Sequence, residues 1–202
     1  MPEYVNNFLV AEFRYPFSAL YLDYKGRLAH SLLDTFPSIN FKNNDIEMHN
    51  DKGLMLMLTS TMAGIARGED EVDLDDYCAL LQRFFVNTTN LLEIGNKITS
   101  FVCGTEYSVI FSDNDELTLF YSKAVNTNWL FRHREGSVNE LDFEVSLQND
   151  NKTYSIKASE QDELNYDILF NLYVPYVNGL TFSDVVNELL SWSKETLVNM
   201  FK

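Results

Sequence analysis

The chain has 202 residues, of which 15 are basic and 30 acidic, giving a formal charge of −15; 46% of it is hydrophobic and 14% aromatic. Fifteen Phe, 11 Tyr and 2 Trp supply more apolar surface than a disordered chain carries, and 8 Gly with 4 Pro exclude a collagen- or linker-like composition. Two cysteines are too few for a disulfide scaffold, no apolar run approaches the roughly 20 residues of a membrane helix, and the excess of carboxylates disfavours direct contact with nucleic-acid phosphates or an anionic membrane.

Residues 8–17 alternate as an opening strand, with Phe8, Val10 and Glu12 on one side and Leu9, Ala11 and Phe13 on the other; Pro16 ends it. A helix follows, starting between residues 18 and 25, with Leu28, Ala29, Leu32, Leu33 and Phe36 at helical spacing and Pro37 as its stop. Two extended stretches come next, 39–49 and 54–67, joined by the turn residues Asn50, Asp51, Lys52 and Gly53. Residues 54–58 are apolar at every position, the pattern of a strand covered on both faces.

The clearest helix begins after Asp73, a good N-cap followed by Asp75 and Asp76, which favour the helix dipole. Leu74, Tyr77, Cys78, Leu81, Phe84, Phe85, Thr88, Leu91 and Leu92 form its apolar stripe, and Gly95 is its natural stop. Residues 98–111 predict a strand with a bulge at Gly104, and residues 112–115 a turn leading to a returning strand over 117–125. An irregular stretch covers 126–139. Residues 141–147 and 153–158 predict a hairpin, and 166–177 another strand. A last helix opens on Thr181 and Asp184, a capping box, with Phe182, Val185, Val186, Leu189, Leu190, Leu197, Met200 and Phe201 as its apolar stripe.

This order predicts an α+β fold: a mostly antiparallel sheet with about three helices. Its first part is a ferredoxin-like βαββαβ unit, extended by further antiparallel strands and a C-terminal helix. Residues 1–202 read as a single domain with a soft division near 112, separating 1–111 from 112–202. No repeat is legible residue by residue.

No motif for catalysis or a cofactor is present. Residues 69–76 fail as a calcium loop, because neither a start at Glu69 nor one at Asp73 places glycine at the sixth position. His30, His49 and His133 lack spaced partners for a metal, and neither a G-x-S-x-G elbow nor a phosphate-binding glycine loop occurs. No cofactor is therefore expected. Cys78 and Cys103 read as buried thiols, and the start of the chain lacks signal-peptide features, so a reducing, cytoplasmic setting is the expectation.

The favoured reading is a non-enzymatic interaction protein whose acidic surface meets a basic protein partner, including one that itself binds nucleic acid. Glu69, Asp70, Glu71, Asp73, Asp75 and Asp76 are the candidate contact residues. Trp129, Arg132, His133 and Arg134, in the single basic cluster, form a second candidate contact or, on another reading, an anion pocket of a ligand-binding or enzymatic domain. A structural homo-oligomer built through a sheet face or edge is the third reading.

The opening strand around residues 9–13, the helix closing on Phe36 and Pro37, the helix over 77–92 and the final helix over 182–201 together resemble a sporadically distributed family of uncharacterised bacterial proteins. That resemblance implies no activity, since the family has no assigned catalytic residues. Its sporadic distribution implies a defence, counter-defence or immunity setting.

Overall fold

The structure, a computed structural model, describes residues 2–42, 45–68, 72–124, 143–162 and 164–201. In chain order these form β1 (Glu3–Arg14), α1 (Ala19–Ser31), β2 (Ser38–Lys42), β3 (Asp45–His49), β4 (Leu54–Leu58), β5 (Met62–Gly68), α2 (Leu74–Leu91) and β6 (Ser100–Ile110). There follow α3 (Asn114–Ala124), β7 (Phe143–Asn149), β8 (Lys152–Asp162), β9 (Asn165–Pro175) and α4 (Phe182–Met200). The nine strands make one sheet in the order β2-β3-β4-β5-β1-β6-β9-β8-β7, antiparallel at every pairing.

The α+β class and the antiparallel sheet are as expected from the sequence. Strands β4, β5, β1 and β6 reproduce the ferredoxin-like arrangement: β1 and β4 run the same way with β5 between them. The hairpin β2–β3 extends this core on one side, and β7–β9 extend it on the other.

The halves on either side of the β1–β6 pair share a plan. Each runs strand, helix, meander, helix, and in each the last meander strand returns beside the first: β5 beside β1, β9 beside β6. The closing helices match in detail. Laying the N-cap Asp73 over the N-cap Thr181 aligns Tyr77, Cys78, Leu81, Phe85 and Thr89 with Val185, Val186, Leu189, Ser193 and Leu197, and all ten are buried. Within that set only Leu81 and Leu189 are identical, so conserved burial, not sequence, carries the repeat.

The helices pack on the sheet face that carries Leu9, Ala11 and Phe13, all fully buried. Tyr21 of α1 donates to the Leu58 carbonyl at 2.9 Å, Tyr77 of α2 to that of Ile65 at 2.6 Å, and the Tyr107 and Ser193 hydroxyls lie 3.2 Å apart beneath α4. At the centre, Phe182 stacks on Phe101 at 4.2 Å between ring centroids, with Phe85 and Phe13 at 5.8 and 6.2 Å. A second cluster holds α3: Phe120 lies 5.3 Å from Phe111 and 5.8 Å from Phe201.

Several expectations are corrected. The two extended stretches are two hairpins, β2–β3 and β4–β5. In the second, Thr59 makes the turn: its hydroxyl accepts from the Thr61 and Met62 amides at 3.1 and 3.0 Å. Residues 114–124 are helical, not a returning strand, with Asp113 accepting from the Glu116 amide at 2.9 Å to cap the helix.

Helix α2 ends before Gly95. Glu93 takes the left-handed conformation (φ 52°), and the Glu93 and Ile94 amides reach back to the Asn90 and Thr89 carbonyls at 3.3 and 3.0 Å, a Schellman closure. Gly104 is not a bulge; the register shift of this pair falls between Asn6 and Phe8. A Cβ at 104 would stand 2.8 Å from Asn171 Oδ1 and 3.2 Å from Val10 Cγ1, so those side chains would have to shift to admit one. Strand β4 is covered on one face only: Leu54, Leu56 and Leu58 are buried, whereas Met55 and Met57 are partly exposed on the other.

Candidate functional site

The acidic start of α2 is anchored from β5. The Arg67 side chain is buried, its Nη1 donates to the Val72 carbonyl, and its guanidinium lies over the Tyr77 ring at 5.9 Å. That contact ties the residue before the N-cap to the sheet. Asp73 spends one carboxylate oxygen on the cap, accepting from the Asp75 and Asp76 amides at 2.8 and 3.4 Å. Asp75 and Asp76 are exposed, and among the described residues neither has a salt-bridge partner. Glu69, Asp70 and Glu71 lie outside the described residues, as do Trp129, Arg132, His133 and Arg134. Of the sequence candidates, the structure therefore brings together Asp73, Asp75 and Asp76.

Three carboxylates elsewhere are matched by cations. Glu12 meets Arg14 at 2.7 Å. Hydrogen bonds from Lys42 (2.6 Å) and His49 (2.8 Å) hold the Glu47 carboxyl below the usual range. At Glu188, burial pushes the carboxyl up, but hydrogen bonds from Lys152 (2.6 Å) and Tyr154 (2.5 Å) outweigh it and leave a net lowering. This last pair borders a cleft of about 460 Å³ walled by Tyr154 and Trp192, whose rings meet edge to face at 5.0 Å.

The sheet face opposite the helices carries a feature that sequence reasoning missed. Phe8, Val10, Met55 and Ala66, together with Gly53, Arg67 and Gly68, line a cleft of about 420 Å³. The depression exists because its floor is built of small residues: the Gly68 amide donates to the Gly53 carbonyl at 3.1 Å, and Ala66 sits in register between Val10 and Met55. Beyond Phe8 a polar ladder begins. Asn7 Nδ2 donates to Glu106 Oε1 (3.0 Å) and Ser108 Oγ (2.8 Å), and Ser108 Oγ donates to Asp167 Oδ1 (2.6 Å). Its signal was present in the sequence, in the apolar second faces of residues 8–10 and 54–58.

Among the described residues no group of three or more His, Cys, Asp or Glu side chains is placed to hold a metal ion. Cys78 and Cys103 are buried free thiols, and burial pushes both upward in pKa. No described helix is long and apolar enough to cross a membrane. Compared with known proteins, the chain matches no family model and no curated protein.

Proposed function

We propose that this is a non-enzymatic acidic protein that binds a basic protein partner, with Glu69, Asp70, Glu71, Asp73, Asp75 and Asp76 as the electrostatic contact. The observation that carries the reading is the clustering of Asp73, Asp75 and Asp76 at the start of α2, in a chain with twice as many acidic as basic residues. Glu12, Glu47 and Glu188 are each matched by a cation, while Asp75 and Asp76 project unmatched beside a capping Asp73. In a chain of −15, such a surface draws a cationic protein over a distance set by the Debye length, about 8 Å at physiological salt. Proteins that carry a nucleic-acid site are one such class of partner.

The test uses a fluorescently labelled lysine homopolymer as probe and compares two double charge reversals. One is Asp75→Lys with Asp76→Lys; the other, at exposed positions on and after α1, is Asp23→Lys with Asp34→Lys. Both change net charge equally. The first pair is expected to weaken binding about tenfold more than the second, with affinity falling steeply as salt rises. Equal losses from the two pairs, or affinity that ignores salt, would refute the assignment.

A further inference from the structure

We infer that the sheet face that no described helix covers supplies the apolar half of this contact: the cleft between Phe8, Val10, Met55 and Ala66 seats an apolar side chain of the basic partner, a proposal that rests on the reading above. A sheet face in contact with water ordinarily alternates polar residues outward. Here the outward positions of adjacent strands include Phe8 and Val10 on β1, Met55 and Met57 on β4, and Ala66 on β5, with Glu12 next along β1. Methionines adapt their shape to what they meet, which suits a surface that receives a side chain.

The rim decides what the occupant is. Glu106 pairs in register with Phe8, and Asp167 follows along the ladder; Asn7 and Ser108 donate to them, yet neither has a salt-bridge partner among the described residues. A second copy of the chain laid on this face would set these carboxylates against their own kind, within a pair of molecules each carrying −15. An anionic membrane meets the same repulsion. A peptide bearing Lys or Arg beside an apolar residue satisfies both parts: the apolar group fills the cleft and the cations meet the rim. Moreover, Gly68, which lines the cleft, ends β5, and the next element in the chain is α2 with its acidic start.

Two labelled 12-residue peptides test this, one alternating Lys with Leu and the other Lys with Ser. The full chain is expected to bind the leucine peptide about tenfold more tightly. Ala66→Phe, which fills the cleft from its own floor, should abolish that preference while leaving salt-dependent binding of both peptides. Val10→Ser, removing part of the wall, should reduce the preference in the same direction, and it serves if Ala66→Phe does not fold. Equal binding of the two peptides overturns the cleft assignment, and so does a preference that survives both substitutions. Loss of binding to both peptides at low salt is a different result: it overturns the electrostatic reading beneath the proposal.

Discussion

Replacing Phe182 with alanine tests whether the two halves behave as one unit. The ring is fully buried at the first turn of α4, in the second half, yet its neighbours are Phe13 of β1 and Phe85 of α2 in the first half, with Phe101 of β6 between. A buried aromatic side chain withdraws roughly 150–250 Å² from water, which at about 25 cal/mol per Å² is on the order of 4–6 kcal/mol as an upper bound. Core Phe→Ala substitutions lose about 3–5 kcal/mol, and this site, with aromatic partners on several sides, belongs in that range. Because the cavity is shared, the loss should reach both halves. Urea unfolding followed by far-UV circular dichroism and by Trp192 fluorescence, in a Trp129→Phe background, should give coincident transitions that shift together with an unchanged slope. Phe17→Ala, at a side chain 64% exposed, should shift the midpoint by less than about 0.5 kcal/mol equivalent. Two resolved transitions, with only the one reporting Trp192 moving, would refute the reasoning.

Two other consequences concern backbone space and alkaline pH. A Cβ at Gly64 would stand 2.6 Å from Glu12 Cβ and 2.7 Å from the Ala11 carbonyl oxygen, so Gly64→Ala must part β1 from β5 and should lose about 1–3 kcal/mol; Gly26→Ala, with open space around it in α1, should gain up to about 1 kcal/mol, and urea midpoints check both signs. Burial, and then the charge of Asp45, raise the Tyr21 phenol to about 12, so the folded state keeps a proton that the unfolded chain releases near 10; the stability this contributes is whole below pH 10 and is lost as pH rises toward 12. Urea midpoints between pH 9 and 12 should fall less steeply in Tyr21→Phe than in the parent, and parallel curves would contradict that origin.

What the sequence disclosed was local. The starts of α2 and α4 were readable because each cap lies within three residues of the amides it serves: Asp73 for Asp75 and Asp76, Thr181 for Asp184. Helix α3 was misread because its apolar residues satisfy two periods at once. Leu117, Leu119 and Tyr121 alternate as in a strand, while Leu117, Phe120 and Tyr121 are spaced as in a helix. Packing decides between them: Phe120 meets Phe111 and Phe201, partners distant in sequence that no local window contains. Gly95 misled for a related reason, since a Schellman closure asks for positive φ one residue past the cap, and there Glu93 accepts it. Gly104 was recognised as special, but the neighbours that crowd it, Val10 and Asn171, come from strands on either side.

The proposed site was readable only in its charged half, because acidity is a property of composition whereas coverage of a sheet face is a property of topology. Neighbouring antiparallel strands are related by a twofold axis normal to their sheet, and such an axis keeps each face on its own side. With β1 and β6 as that central pair, repetition of the strand–helix–meander–helix plan sends the helices of both halves to the same face. Phe8, Val10 and Met55 thus remain outward, with no described helix laid across them. In a fold with one copy of the plan the sheet would span a few strands; repetition widens it to nine. The same architecture that doubles the core therefore doubles the outward sheet face, and it sets that face on hydrogen-bonded strands instead of loops.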